Sequence, residues 1–241
     1  VIDELHRLGI SHMFERVDGE TRTCINIIDS KGQQTEFLEP GFAVSEETLA
    51  LFERRFVQAV LKSDVVTISG SLPCGCPSDY YAKLIAICHA HGKPVLLDAS
   101  GERLTAAVAA KPTLIKPNRE ELAQLLGRAI PQHELANAAF DLHRQGIPYV
   151  VVSVGKDGAY LACSKGVFKA TPPKIDAVNV TGCGDSMLGG FAVALSRQLS
   201  IEQALLYATA ISASNALHRE TGCISAEQVQ ALLPKCRVQR L

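Results

Sequence analysis

The stretch Thr181-Gly182-Cys183-Gly184-Asp185-Ser186 sets two glycines, an acid and a hydroxyl directly ahead of the apolar run 187–195. Glycines at 182 and 184 let the backbone turn tightly and aim successive N–H groups outward where a helix begins. A helix start carries partial positive charge and unsatisfied donors, so such a turn suits a phosphate. Asp185 then stands in the first turn of that helix. The plainer reading of Asp185 is a first-turn acid that favours the helix dipole. Two other phosphate loops are excluded by spacing. A dinucleotide fingerprint needs a third glycine at 187, where Met187 stands, and a Walker A loop needs lysine after Gly189-Gly190, where Phe191 stands.

Three further segments hold residues of chemical interest. In Lys116-Pro117-Asn118-Arg119-Glu120-Glu121, Asn118 is a good helix N-cap and Glu121 sits three residues on, at the position of a capping-box glutamate. Residues 153–158 form a polar, glycine-bearing loop whose Lys156-Asp157-Gly158 is well composed for an ordinary turn. Residues 208–215 are rich in Ala and Ser, which suits close helix packing. The eight cysteines include a C-x-C at Cys74 and Cys76 but no C-x-x-C, so buried free thiols are expected in place of a zinc site.

The elements that must position these residues alternate. Buried strands are expected at 65–68, 95–98, 114–116 and 149–153, each a short apolar run. Helices are expected at 45–62, 78–91, 103–110, from Asn118, and at 132–145. This strand–helix–strand spacing predicts parallel strands with helices on both faces. Small antiparallel strands follow near 159–163 and 167–170, then a nearly all-helical block over 184–233. Earlier, residues 23–28 and 33–38 alternate in character around Asp29-Ser30-Lys31-Gly32, a plausible hairpin turn. The whole reads as one α/β domain with a small β appendage over 17–39. In open parallel sheets ligands gather at the carboxyl ends of the strands. The segments 69–73, 98–101, 116–118, 153–158 and 181–186 would then share one rim.

The 241 residues are 47% hydrophobic and carry a formal net charge of −1, enough for one sizeable core and no basic field for nucleic acid or a membrane surface. No apolar run approaches a bilayer span, and no secretory leader is visible. A cytoplasmic location is expected.

The ordered set of motifs resembles the PfkB branch of the ribokinase family. The turn at 181–186 is similar to its G-A-G-D signature with Cys183 in place of alanine. VVTISGSLP (65–73), KPN with N-x-x-E (116–121) and VVVSVGKDG (150–158) follow the family's order. The resemblance implies a ribokinase-like fold with ATP and Mg2+ as cofactors. It makes Asp185 the general base and the N–H groups of Gly182, Cys183 and Gly184 an anion hole for the transferring phosphoryl. Thr181 joins that loop. Asn118 and Glu121 would organise Mg2+, Ser153, Gly155 and Gly158 would form the nucleotide-side loop, and Asn215 would stand on the adenine-side wall. Residues 19–22 and 33–39 look most like the phosphosugar kinases, a subgroup with tagatose-6-phosphate kinase and 1-phosphofructokinase. That likeness implies a ketohexose phosphate held by Arg22 and Ser71. A homodimer through lid strands is expected by the same resemblance.

Family members open with a strand, a sugar-binding Asp and a glycine-rich G-G-K-G-x-N segment, none of which is in this sequence. Residues 2–8 resemble a helix from well inside the family domain, so an N-terminally truncated domain with part of its β lid is expected. Two rival readings follow: a catalytically silent remnant that still binds nucleotide, and a kinase for a sugar without a phosphate.

Overall fold

The computed structural model describes residues 1–28 and 34–241, which divide into two compact units, Val1–Leu61 with Leu72–Pro77, and Lys62–Ser71 with Ser78–Leu241. The hairpin turn expected at Asp29-Ser30-Lys31-Gly32 lies outside the described residues.

The first unit contains α1 (Ile2–Arg7), the hairpin strands β1 (Cys24–Ile28) and β2 (Gln34–Leu38), and α2 (Glu46–Leu61). The antiparallel register pairs Cys24 with Leu38 and Ile25 with Phe37. Alternation therefore puts Ile25, Ile27 and Phe37 on one face of the hairpin, and each is more than half exposed (52%, 51% and 58%). Arg55 of α2 donates to the Phe14 carbonyl at 3.1 Å, tying the preceding loop to the helix. Val44 N–H donates to the Cys74 carbonyl at 2.9 Å. Gly75, at φ +85°, allows this approach, because a Cβ there would lie 2.8 Å from the Val44 carbonyl oxygen.

The second unit is built on β3 (Val66–Ser69), β4 (Val95–Asp98), β5 (Leu114–Ile115), β6 (Tyr149–Ser153), β7 (Ala159–Cys163), β8 (Gly166–Thr171) and β9 (Arg237–Arg240), hydrogen-bonded in that order. β3 to β6 run parallel, and β7 to β9 extend the sheet antiparallel from β6. The helices are α3 (Tyr80–Ala90), α4 (Gly101–Val108), α5 (Arg119–Leu126), α6 (Leu135–Arg144), α7 (Cys183–Ser196), α8 (Ile201–Ala216) and α9 (Ala226–Leu232). Consecutive residues of β4 (Val95, Leu96, Leu97) and β6 (Val150, Val151, Val152) are all fully buried. Neighbouring strand residues face opposite ways, so both faces of the parallel half are covered, as the continuous apolar runs require.

One core cluster joins Leu96, Leu114, Val151, Leu161 and Phe168 of the sheet to Leu188 and Phe191 of α7 and Leu205 and Ala208 of α8. At Gly190 a Cβ would come within 2.7 Å of Ala208 Cα, so glycine there sets how closely these two helices approach. The expected strands and helices are present with ends shifted by up to three residues. The C-terminal block differs. After α9 the chain forms β9, which pairs Val238 with Ala170 and Arg240 with Phe168. Arg-Val-Gln-Arg has too little apolar character to read as a strand, and at a sheet edge it needs little.

Candidate active site

All the residues described next belong to the second unit. Ser69 ends β3, Asp98 ends β4 and is its register partner, Lys116 follows β5, and Ser153 ends β6. The carboxyl ends of the four parallel strands thus form one rim, and the first turn of α7 meets it. Gly182, at φ +80°, is the residue before the helix; Cys183, Gly184 and Asp185 open it. Asp185 is exposed, and Ser69 Oγ donates to its Oδ1 at 2.7 Å. This bond spans 116 residues of sequence and fixes the carboxylate at the rim.

Behind that turn lies a nearly buried ion pair, Lys116 Nζ to Asp98 Oδ2 at 2.9 Å, with side chains 5% and 17% exposed. A Cβ on Gly184 would stand 3.1 Å from Lys116 Nζ, so the ammonium is seated directly against the helix start. Burial pushes the Asp98 carboxyl above its ordinary range; Lys116 draws it back, and the negative charge of Asp185 adds to the rise. Glu121 is likewise raised, first by burial, with the Asn118 backbone N–H opposing and Asp98 adding to it. The sequence reading placed the segments of Ser69, Asp98 and Lys116 on the rim but not their pairings. The signal available was a polar residue directly after each apolar strand run.

Asn118 and Glu121 form a reciprocal capping box: Asn118 N–H donates to Glu121 Oε2 and Glu121 N–H donates to Asn118 Oδ1, both at 2.8 Å. Asn118 also bridges to Ser153 along the backbone, and Ser153 N–H donates to the Pro117 carbonyl at 3.0 Å. Gly155 (φ +56°) is exposed with open space around it, whereas Gly158 has a packing task. A Cβ at Gly158 would fall 2.0 Å from the Ala170 carbonyl oxygen.

Thr181 N–H donates to Asn179 Oδ1 at 2.9 Å. Cys183 N–H donates to the Val180 carbonyl at 3.2 Å, so that amide closes the turn. The amides of Gly184 and Asp185 have no carbonyl partner among the described residues, as expected of a helix's first turn. Asn215 is fully buried behind the turn, its Nδ2 donating to the Thr181 carbonyl at 3.0 Å and its Oδ1 accepting from Gly222 N–H at 2.8 Å. The sequence placed it on an adenine-side wall; here its amide is turned towards residues 181 and 222.

Ser71 is exposed just beyond β3. Arg22 is in the first unit, exposed, and lines an open depression of about 430 Å3 with Glu20, Glu39, Pro40, Gly41 and Phe42. Among the described residues no cluster of three or more His, Cys, Asp or Glu is arranged to hold a metal ion. Among the described residues no helix is long and apolar enough to cross a membrane.

The family model for pfkB carbohydrate kinases matches residues 1–228. The chain belongs to the PfkB family. It is therefore a sugar kinase by family, a phosphotransferase on the ribokinase-like α/β fold. Phosphofructokinase-2 of Escherichia coli, solved with potassium, superposes with a TM-score of 0.86 at 28% identity, over 97% of this chain and 76% of that one. A Staphylococcus aureus protein described as a candidate phosphofructokinase gives 0.82 at 26%, over 100% and 78%. A Thermotoga maritima protein described as a candidate 1-phosphofructokinase shares the fold, with a TM-score of 0.86 at 22% identity over 100% and 78%.

Proposed function

We propose that this PfkB protein transfers the γ-phosphoryl of ATP to a ketohexose phosphate, tagatose 6-phosphate or a fructose phosphate, giving the bisphosphate and ADP. The observation that carries the reading is Asp185: exposed, at the start of α7, and held at the strand rim by Ser69. As the sugar hydroxyl oxygen bonds to the γ-phosphorus, the bond to the ADP oxygen breaks and the hydroxyl proton passes to Asp185. Little proton removal is needed early in a loose transition state, so an ordinary carboxylate suffices. Of the amides expected to cradle the phosphoryl, that of Cys183 closes the turn. Gly182 and Gly184 remain for the anion, with Asp185 N–H beside them. One such donor is worth roughly 3–4 kcal/mol in comparable oxyanion sites.

Thr181 shapes the entry of this loop, and Ser153, Gly155 and Gly158 border the nucleotide. The Glu121 carboxylate and the Asn118 amide oxygen, held together in the capping box, are oxygen donors of the kind that suits Mg2+. That ion keeps several waters and needs only one or two carboxylates, so Glu121 and Asn118 can hold it through water. When bound, it neutralises charge on the phosphates.

Arg22 and Ser71 are assigned to the phosphate already on the sugar, since a guanidinium fork donates two bonds to one phosphate. Support comes from the Escherichia coli neighbour, 28% identical, solved with fructose-6-phosphate. The apolar hairpin face of Ile25, Ile27 and Phe37 suits a homodimer through the lid; the same neighbour has a tetrameric inhibited form. We place the enzyme in the cytoplasm, where ATP and sugar phosphates are made and unpaired thiols persist.

The test is ATP-dependent phosphorylation of tagatose 6-phosphate, the fructose phosphates and the unphosphorylated sugars, with Arg22→Ala alongside. Losing a bond to a charged group should raise KM for the phosphosugar about 10- to 150-fold. An unchanged KM, or preference for the free sugar, overturns the phosphosugar assignment; nucleotide binding without turnover overturns the activity.

A further inference from the structure

Asn215 is 0% exposed within α8, among the small apolar residues Ala208, Ala213 and Ala216. Alanine would satisfy helix propensity and packing at such a position, and a buried amide costs free energy unless its bonds are made. Here they are made, and every one goes to a turn outside the helix. Nδ2 donates to the Thr181 carbonyl at 3.0 Å and to Cys183 Sγ at 3.3 Å, while Oδ1 accepts from Gly222 N–H at 2.8 Å. The partners fix which end is which, since a carbonyl only accepts and an amide N–H only donates. One helical turn earlier, Ser212 Oγ donates to the Cys183 carbonyl at 3.0 Å.

The two turns also touch each other. A Cβ on Gly182 would lie 2.6 Å from Thr221 Cγ2, 3.4 Å from Gly222 N and 3.6 Å from Asn215 Oδ1. Residues 181–183 and 221–222 are thus separate pieces of chain joined through one side chain. We infer that Asn215 is a positioning residue that locks the phosphoryl-transfer turn to the 221–222 turn, with Ser212 as its second support. The inference rests on the reading of residues 182–185 as the transfer site. Asn215 acts on the reaction only through that turn. Without it, the amides of Gly182 and Gly184 lose their fixed aim at the phosphoryl oxygens.

Two variants of the full protein test this, read by deuterium uptake along the chain and by steady-state kinetics. Asn215→Leu keeps roughly the volume and removes all three bonds. Segments 180–186 and 219–223 should lose protection together, with kcat falling about 100-fold, the scale of a displacement near 1 Å, and KM moving less than about threefold. Asn215→Asp keeps the acceptor for Gly222 but loses both donors. Segment 219–223 should stay protected while 180–186 opens. A wild-type kcat in Asn215→Leu overturns the inference, as does protection lost evenly along α7 and α8. Should neither variant fold, the wild-type protein decides: the two segments must open as one unit, and unequal opening overturns the proposal. Failure of the underlying reading looks different. Full turnover in Asp185→Asn, with the two segments still coupled, removes the transfer site and leaves the clamp.

Discussion

Replacing Gly182 by alanine should damage the turn in two separable ways. Its φ of +80° and ψ of 0° are left-handed, a conformation that costs an L-residue with a Cβ about 1–2 kcal/mol. The new methyl would also stand 2.6 Å from Thr221 Cγ2, about 1 Å inside ordinary carbon–carbon contact. Such overpacking costs about 1–3 kcal/mol, so the total loss should be about 2–5 kcal/mol. If the turn relieves the overlap by shifting near 1 Å, kcat should fall about 100-fold. Thr221→Ser deletes the clashing methyl, so the double variant should recover the overpacking part and keep the backbone part. Gly189 is the control: it is helical, exposed and has nothing within 4 Å of a Cβ. Alanine there should stabilise by about 0.5–1 kcal/mol. Urea denaturation and turnover read all four proteins. A Gly182→Ala protein as stable and active as wild type, or no recovery on adding Thr221→Ser, refutes the reasoning.

Lys116→Met removes the partner of the nearly buried Asp98 and should cost about 3–5 kcal/mol at neutral pH. The loss should shrink on acidification as Asp98 takes up a proton; denaturation at pH 5 and pH 7.5 checks this. Asp98 and Glu121 have folded-state pKa values raised above their ordinary ones. The folded chain therefore binds those protons more tightly, and these groups add stability as pH falls from neutral through the raised values. Glu121→Gln can still accept the Asn118 N–H, so denaturation from pH 5 to 8 should show a flatter slope and no loss at pH 7.5. Ser69→Ala removes the hydroxyl that donates to Asp185 Oδ1; kcat should fall while the denaturation midpoint holds, as kinetics and urea curves on one preparation would show.

What could be read from the sequence was what local rules decide. The capping box of Asn118 and Glu121 is a three-residue relation inside one helix start, and the turn at 181–186 announces itself by its glycines. The parallel strands were legible because Val95-Leu96-Leu97 and Val150-Val151-Val152 are apolar without alternation, which only burial on both faces permits. Relations created by tertiary pairing were not legible. Asp98 and Lys116 meet only because β4 and β5 pair side by side, Leu97 with Ile115. Ser69 reaches Asp185 only once α7 has returned to the rim. Asn215 was placed by resemblance on an adenine-side wall, and nothing local signals that its amide reaches two distant turns. Gly158 read as a nucleotide-loop glycine, while its close approach to Ala170 belongs to the β7–β8 pairing.

The most direct test is turnover of Asp185→Asn beside wild type, on ATP and the preferred sugar phosphate. Asparagine keeps an oxygen able to accept from Ser69 Oγ, so the turn should be preserved while the base is lost. The account predicts kcat lower by about 100- to 10,000-fold, with ATP affinity nearly unchanged. Turnover within twofold of wild type would contradict it.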